Sequence, residues 1–152
     1  STYEEGHEKQ KIDLVQNFEG LKLHMSLNHP EIKIDMVIKE KHSIFGNEFR
    51  IIQLWSNIMH LIIENCEFSE VPTFNISTSK INHTTCIIID CIPFKINTNL
   101  FNSEILNCRF IDDIESSIKL KLNIIQTILI EHKAILKCII HQDSMLSFRI
   151  SF

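Results

Sequence analysis

Apolar and polar positions alternate in two stretches near the start of the chain, LKLHMSL at 21–27 and EIKIDMVI at 31–38, with NHP between. Alternation at period two turns one face of a strand toward a core, so the pair predicts two strands joined by a short turn. Ahead of them, residues 1–20 are polar with scattered apolar positions at Ile12, Leu14, Val15 and Phe18. They predict a polar N-terminal arm or short helix before a single β-rich domain over 21–152. Residues 49–59 carry Phe49, Ile52, Trp55 and Met59 at helical spacing, which predicts a short helix. A strand, HLIIE, is expected directly after it. The proline-marked segment from Phe68 to Thr85 reads as a loop, and FIDDIESS before 118 as an acidic turn. Strand-like runs fill the remainder at 86–90, 104–107, 118–124, 133–140 and 146–150.

Composition reinforces the bias toward strands. Isoleucine is close to a fifth of the chain and alanine occurs once, at Ala134. Isoleucine is stiff at χ1 and favours pleated structure, whereas alanine is the best helix former. AT-rich codons supply a second reason for the same composition. The 152 residues suit one domain, and 44% hydrophobic with 22% charged residues is ordinary for a globular chain.

The stretch NIMHLIIENCEF sits in a frame that resembles a leucine-rich repeat. Residues 58–72 place Ile58, Leu61, Ile63, Cys66, Phe68, Val71 and Pro72 in the repeat's positions, with Cys66 in its Asn/Cys slot. Further copies place Ile87, Ile89, Ile92 and Phe94, then Ile105, Cys108 and Phe110, then Leu120, Leu122 and Ile125. The slots Cys66, Ile92, Cys108 and Ile125 are 26, 16 and 17 residues apart, and the last two intervals leave no room for an outer helix. The resemblance implies a mainly β fold with a little helix: a short, irregular leucine-rich-repeat-like or β-solenoid stack. A compact antiparallel β-sandwich and an α+β arrangement are the alternatives. In a solenoid the polar positions of each strand form an exposed concave face. The partner-binding candidates are then His60, Glu64, Asp90, Glu104, Lys119 and Lys121.

Chemistry is mostly conspicuous by its exclusion. Three glycines leave no glycine-rich phosphate loop, and G-x-S-x-G, H-E-x-x-H and the EF-hand loop are absent. Eight histidines are scattered without metal-ligand spacing, so neither a catalytic set, a metal nor a cofactor is expected. Five cysteines at irregular spacing give no disulfide framework. Cys86 and Cys91 fall on opposite faces if CIIIDC is one strand. A net charge of −4 argues against nucleic acid, and no apolar run is long enough to insert in a membrane. The start at Ser1 reads as a processed or excised chain, and its polar first residues read as no signal peptide. Two sequons, Asn75-Ile-Ser77 and Asn82-His-Thr84, make Asn75 and Asn82 glycosylation candidates. The sequence therefore predicts a non-enzymatic protein–protein interaction module, a receptor ectodomain fragment or an adaptor, with no compartment assigned. Alternatives are a β-sandwich holding a small apolar ligand, or an assembly subunit that self-associates through strand edges.

Overall fold

Strand β6 (Thr84–Cys91) alternates between Ile87, Ile89 and Cys91, which are buried, and Cys86, Ile88 and Asp90, which are half-buried on the other face. This places Cys86 and Cys91 on opposite faces. In the computed structural model, which describes residues 8–38, 42–106 and 115–152, β6 is the middle strand of a five-stranded sheet. The order is β2 (Lys33–Val37), β5 (Thr73–Ile81), β6, β9 (Leu146–Ser151), β8 (Ile135–Ile140). β2 and β5 run parallel, and the other neighbours are antiparallel. Two small pairs complete the strands: β1 (Gln10–Asp13) with β3 (Ser43–Gly46), and β4 (Cys66–Glu67) with β7 (Lys95–Ile96).

One face of the sheet is covered by helices α1 (Leu14–Asn28), α2 (Glu48–Asn65) and α4 (Ser116–Glu131), and a single turn, α3 (Ser103–Leu106), lies against β8. Asp13 caps α1 by accepting the amide of Gln16, and Asn47 caps α2 by accepting that of Arg50. Helix α2 buries Ile51, Leu54, Trp55, Ile58, Met59, Leu61 and Ile62, a stripe at helical period that faces Phe74, Ile76, Ile87, Ile89, Phe148 and Ile150 within one core. At about 25 cal/mol per Å² of apolar surface removed from water, this continuous core is the main favourable contribution to folding. On β8 the Ser103 hydroxyl donates to the carbonyl of Cys138 and accepts its amide, so α3 occupies part of the sheet's edge.

No solenoid is present among the described residues, and the leucine-rich-repeat reading is corrected on each copy. Residues 58–65 belong to α2, so Leu61 and Ile63 share no strand face. Ile87 and Ile89 do lie on a strand, but β6 pairs antiparallel with β5 and β9 instead of stacking in parallel. The next copy begins in α3, and Cys108 and Phe110 lie outside the described residues. Leu120, Leu122 and Ile125 belong to α4. The predicted acidic turn is outside the described residues for most of its length. The sandwich alternative fails as well, because helices, not a second sheet, cover the core face.

The errors share a physical cause. LKLHMSL alternates because Leu23 and Leu27 are 68% and 78% exposed on α1, whereas the helix buries Leu14, Phe18, Leu21 and Met25. The run at 118–124 alternates because Leu120 is 61% exposed on α4. The segment expected as a loop holds β5, whose Phe74, Ile76 and Thr78 are buried between polar neighbours. Of the apolar positions that predicted the short helix, Trp55 and Met59 are fully buried, whereas Phe49 is exposed.

Trp55 stacks on Phe18 with centroids 5.0 Å apart, and its indole N–H donates to Asn17 Oδ1 at 2.8 Å, with both side chains fully buried. Replacing Asn17 by Ala strands a buried donor and should cost about 1–3 kcal/mol. The double variant Asn17→Leu/Trp55→Phe should recover much of this loss. Urea unfolding checks both, and a double variant no more stable than Asn17→Ala would contradict the assignment.

Candidate functional site

The C-terminal end of α2 opens into a cleft. Here Asn65 passes into β4, and β4 is held by β7 through the pairs Cys66–Ile96 and Glu67–Lys95. Two further backbone bonds close the corner, Phe94 N–H to Glu67 O at 2.7 Å and Asn97 N–H to Asn65 O at 3.2 Å. The resulting cavity, about 440 Å³, is lined by Glu64, Glu67, Lys95, the amides of Asn65 and Asn97, Thr98, Cys66 and Ile96. That volume is in the range of small-molecule sites. On its rim, Lys121 of α4 pairs with Glu64 at 3.1 Å.

Beside this pair stands His60, one turn earlier on α2, with its ring centroid 5.0 Å from that of His29. Burial lowers the His60 pKa, and His29, Lys121 and His24 push it the same way, against Glu64. Burial pushes the Cys66 thiol up to about 11 and the Cys138 thiol to about 12, and drives Cys91 up as well. These are protonated, weakly nucleophilic thiols at neutral pH. Cys66, Cys86, Cys91 and Cys138 are free. Among the described residues, no group of three or more His, Cys, Asp or Glu side chains is arranged to hold a metal ion.

Of the residues singled out from the sequence, three meet here: His60, Glu64 and Lys121. They are brought together by two helices, not by a stack of strands. Lys119 is exposed on α4, and Glu104 belongs to α3. Asp90 is on the sheet's outer face, where it accepts the hydroxyl of Ser147, which in turn is 3.0 Å from His141 Nε2. Asn75 is exposed on β5, and Asn82 is in the β5–β6 turn with φ 56°. Lys95, Asn97 and Thr98 were not foreseen, since a segment that is neither periodic nor glycine-marked carries no signal for them.

A second cavity, about 460 Å³, lies at the other end of α2, between Ser43–Phe45, His83, Thr85, Lys133 and Phe152, with Lys9 and His132 also on its wall. His132 Nε2 accepts the Asn47 amide at 3.1 Å, while Nδ1 is 2.7 Å from the Ile128 carbonyl and donates to it. Next to it, Glu131 receives a two-pronged ion pair from Arg50, at 3.0 and 2.8 Å. The start of α2 is thus tied to the end of α4. Gly46 leaves room for this contact, because a Cβ there would lie 2.6 Å from the His132 ring.

No protein-family model matches the sequence, and no curated protein matches it. Solved structures do match over nearly the whole chain. The mycobacterial sensor histidine kinase MprB superposes with a TM-score of 0.74 at 11% identity, covering 95% of this chain and 97% of that one. The nucleotide-free catalytic domain of histidine kinase ThkA gives 0.74 at 15%, covering 95% and 97%. Full-length ShkA in complex with AMPPNP gives 0.71 at 14%, covering 94% of this chain and 30% of ShkA. At these identities the likeness shows the fold, which is that of histidine kinase catalytic domains. It overturns the leucine-rich-repeat reading. The expected non-enzymatic interaction module was built on that solenoid and is corrected with it, as is the expectation that the chain is no enzyme, since catalytic domains carry this fold. No described helix is long and apolar enough to cross a membrane.

His132 makes both of its bonds as a neutral ring, because an imidazolium cannot accept the Asn47 amide. Burial lowers its pKa, and Lys9 and Arg50 push it the same way, against the hydrogen bond to Ile128 and the charge of Glu131. The neutral ring is therefore favoured in the folded state. Its stabilisation is complete above the ordinary histidine value of about 6.5. It is lost as pH falls through the lower folded value, and His60 acts with the same sign. Unfolding free energy should decline from about pH 7.5 to about pH 5, less steeply in His132→Gln. Equal slopes for variant and parent would contradict the role given to His132.

Proposed function

We propose that the chain is the nucleotide-binding domain of a histidine-kinase-type phosphotransfer protein and that the nucleotide enters the cleft at the end of α2. The observation that carries this reading is the near end-to-end correspondence of fold with kinase catalytic domains, covering 95% of the chain and 97% of the MprB chain. The AMPPNP complex of ShkA supports a nucleoside triphosphate as ligand class. A histidine kinase ThkA structure in complex with response regulator protein TrrA, matched at a TM-score of 0.66, 14% identity and 42% of that chain, supports a protein as the partner.

The residues present set terms for how phosphate would be held. Every glycine in the chain, Gly6, Gly20 and Gly46, precedes residue 47. The positive-φ residues among the described ones are Asn82, Lys133 and Ser144, and none lines the cleft. A nest of backbone N–H groups on glycine is therefore not available there. Side chains must replace it: Lys95 on the wall and Lys121 on the rim as ammonium donors, with Asn97 and Thr98 as neutral ones. Glu64 and Glu67 oppose them, so the cleft carries both signs of charge. Catalysis of phosphoryl transfer rests on positioning and charge stabilisation, and in this chain the lysines would supply the charge.

ATP should bind saturably when titrated into the chain by calorimetry. Lys95→Met and Lys121→Met should each weaken binding about fivefold, near 1 kcal/mol. Glu64→Gln should tighten it by about twofold, because it releases Lys121 and removes a negative charge. Absence of saturable ATP binding would overturn the nucleotide reading. Binding indifferent to all three substitutions would place the nucleotide elsewhere.

A further inference from the structure

The cavity at the opposite end of α2 has a different charge logic. Three separate segments bring basic side chains to its wall: Lys9 before β1, His83 in the β5–β6 turn and Lys133 in the α4–β8 turn. Among the described residues, no carboxylate is part of the lining. The nearby carboxylate, Glu131, is already held by both prongs of Arg50. Lys9 donates to the carbonyl of Glu131, which fixes its ammonium near the end of α4 and leaves two N–H donors. His132 contributes only ring surface, as both its nitrogens are engaged. The remaining wall is mostly apolar, with Ile44, Phe45 and Phe152 beside the small polar residues Ser43 and Thr85.

Lys133 adds an independent indication. Its φ is 52°, in the left-handed region where a lysine is disfavoured relative to glycine or asparagine by roughly 1 kcal/mol. A turn chosen for conformation alone would not carry lysine there. The position keeps a long cation at the mouth of a cavity against its own backbone preference.

We infer that this second cavity binds a small amphiphilic anion, an acidic head group on a short apolar body. The head group lies between Lys9, Lys133 and His83. The body lies on Ile44, Phe45 and Phe152. A triphosphate is a poor fit, since a mostly apolar wall leaves its outer oxygens poorly solvated, whereas an anion with one charged end places it beside Lys9 and Lys133. The site is separate from the nucleotide cleft, with α2 running between them, so it is suited to an effector and not to a substrate.

The test is a titration of the whole chain with octanoate, followed by amide chemical shifts. Phenyl phosphate serves as a second head group and octanol as the uncharged control. Saturable shifts confined to residues 43–45, 83–85, 132–133 and 152 are expected, with octanoate at least tenfold tighter than octanol. Lys133→Asn keeps a residue that tolerates the left-handed turn and removes the charge, so it should fold and weaken octanoate about fivefold. Lys9→Met should act in the same direction. Octanol as tight as octanoate, no saturation by either acid, or a Lys133→Asn variant that binds like the parent would each overturn the proposal. Shifts from ATP would fall at 64–67 and 95–98, so failure of the nucleotide reading is seen separately.

Discussion

An indole N–H inside a dry core must find an acceptor, and in this chain that demand sets the helix layer. Trp55 is fully buried near the middle of α2, and the acceptor is Asn17 on α1, also fully buried. A hydrogen bond between two buried side chains tolerates little sliding, so it fixes the longitudinal position of α1 on α2 more narrowly than apolar contact would. Phe18 stacks on the same indole and Phe152 meets it edge-on, 6.1 Å between centroids. The end of the last strand is thereby joined to the first two helices. With the middle of α2 fixed and its start tied to His132 and Glu131, its other end has little freedom. That end carries His60, Glu64 and Asn65, which define one side of the cleft.

Much of the sheet was legible in the sequence, and the helices flanking it were not. The runs at 31–38, 86–90, 133–140 and 146–150 correspond to β2, β6, β8 and β9, each of which turns apolar side chains such as Ile34, Ile87, Leu136 and Phe148 into the core. Helices α1 and α4 violate the assumption on which period counting rests, that large apolar residues mark the buried face. Leu23, Leu27 and Leu120 are exposed, and each supplies the extra apolar position that turns a helical stripe into an alternating one. The same abundance of isoleucine and leucine produced the repeat. A slot pattern with many permitted apolar residues finds matches in any chain where such residues are this frequent.

The cleft was only partly legible for a different reason. His60, Glu64 and Lys121 were singled out for a concave strand face, and two helices place them together instead, with Lys121 reaching Glu64 across α2 and α4. Lys95, Asn97 and Thr98 sit in a stretch whose conformation is decided by backbone bonds to Asn65 and Glu67, contacts some thirty residues distant. A glycine motif would have announced a phosphate loop, and its absence was read as absence of the whole class. That inference joined two separable things. The fold positions a cleft through helix and strand packing, whereas the phosphate loop is a local arrangement of backbone N–H groups. The first is present in this chain with no glycine available for the second.

The two ends of α2 consequently have opposite electrostatic character. At the C-terminal end the helix dipole favours cations, and lysines from β7 and α4 arrive there together with Glu64 and Glu67, so charges of both signs are interleaved. An anion entering that cleft must displace or rearrange an existing ion pair. At the N-terminal end Asn47 accepts the Arg50 amide, His132 accepts that of Asn47, and Glu131 is neutralised by Arg50. Lys9, anchored on the Glu131 carbonyl, His83 and Lys133 face a cavity with mostly apolar walls. A ligand at the first site competes with Glu64 for Lys121; a ligand at the second meets Lys9 and Lys133, with no carboxylate among the described lining residues. Because α2 is held at both ends by contacts to α4, through Lys121–Glu64 and through Arg50–Glu131, occupancy of either site acts on the same pair of helices. Coupling between the sites would follow from that shared pair, with no need for the sheet to move.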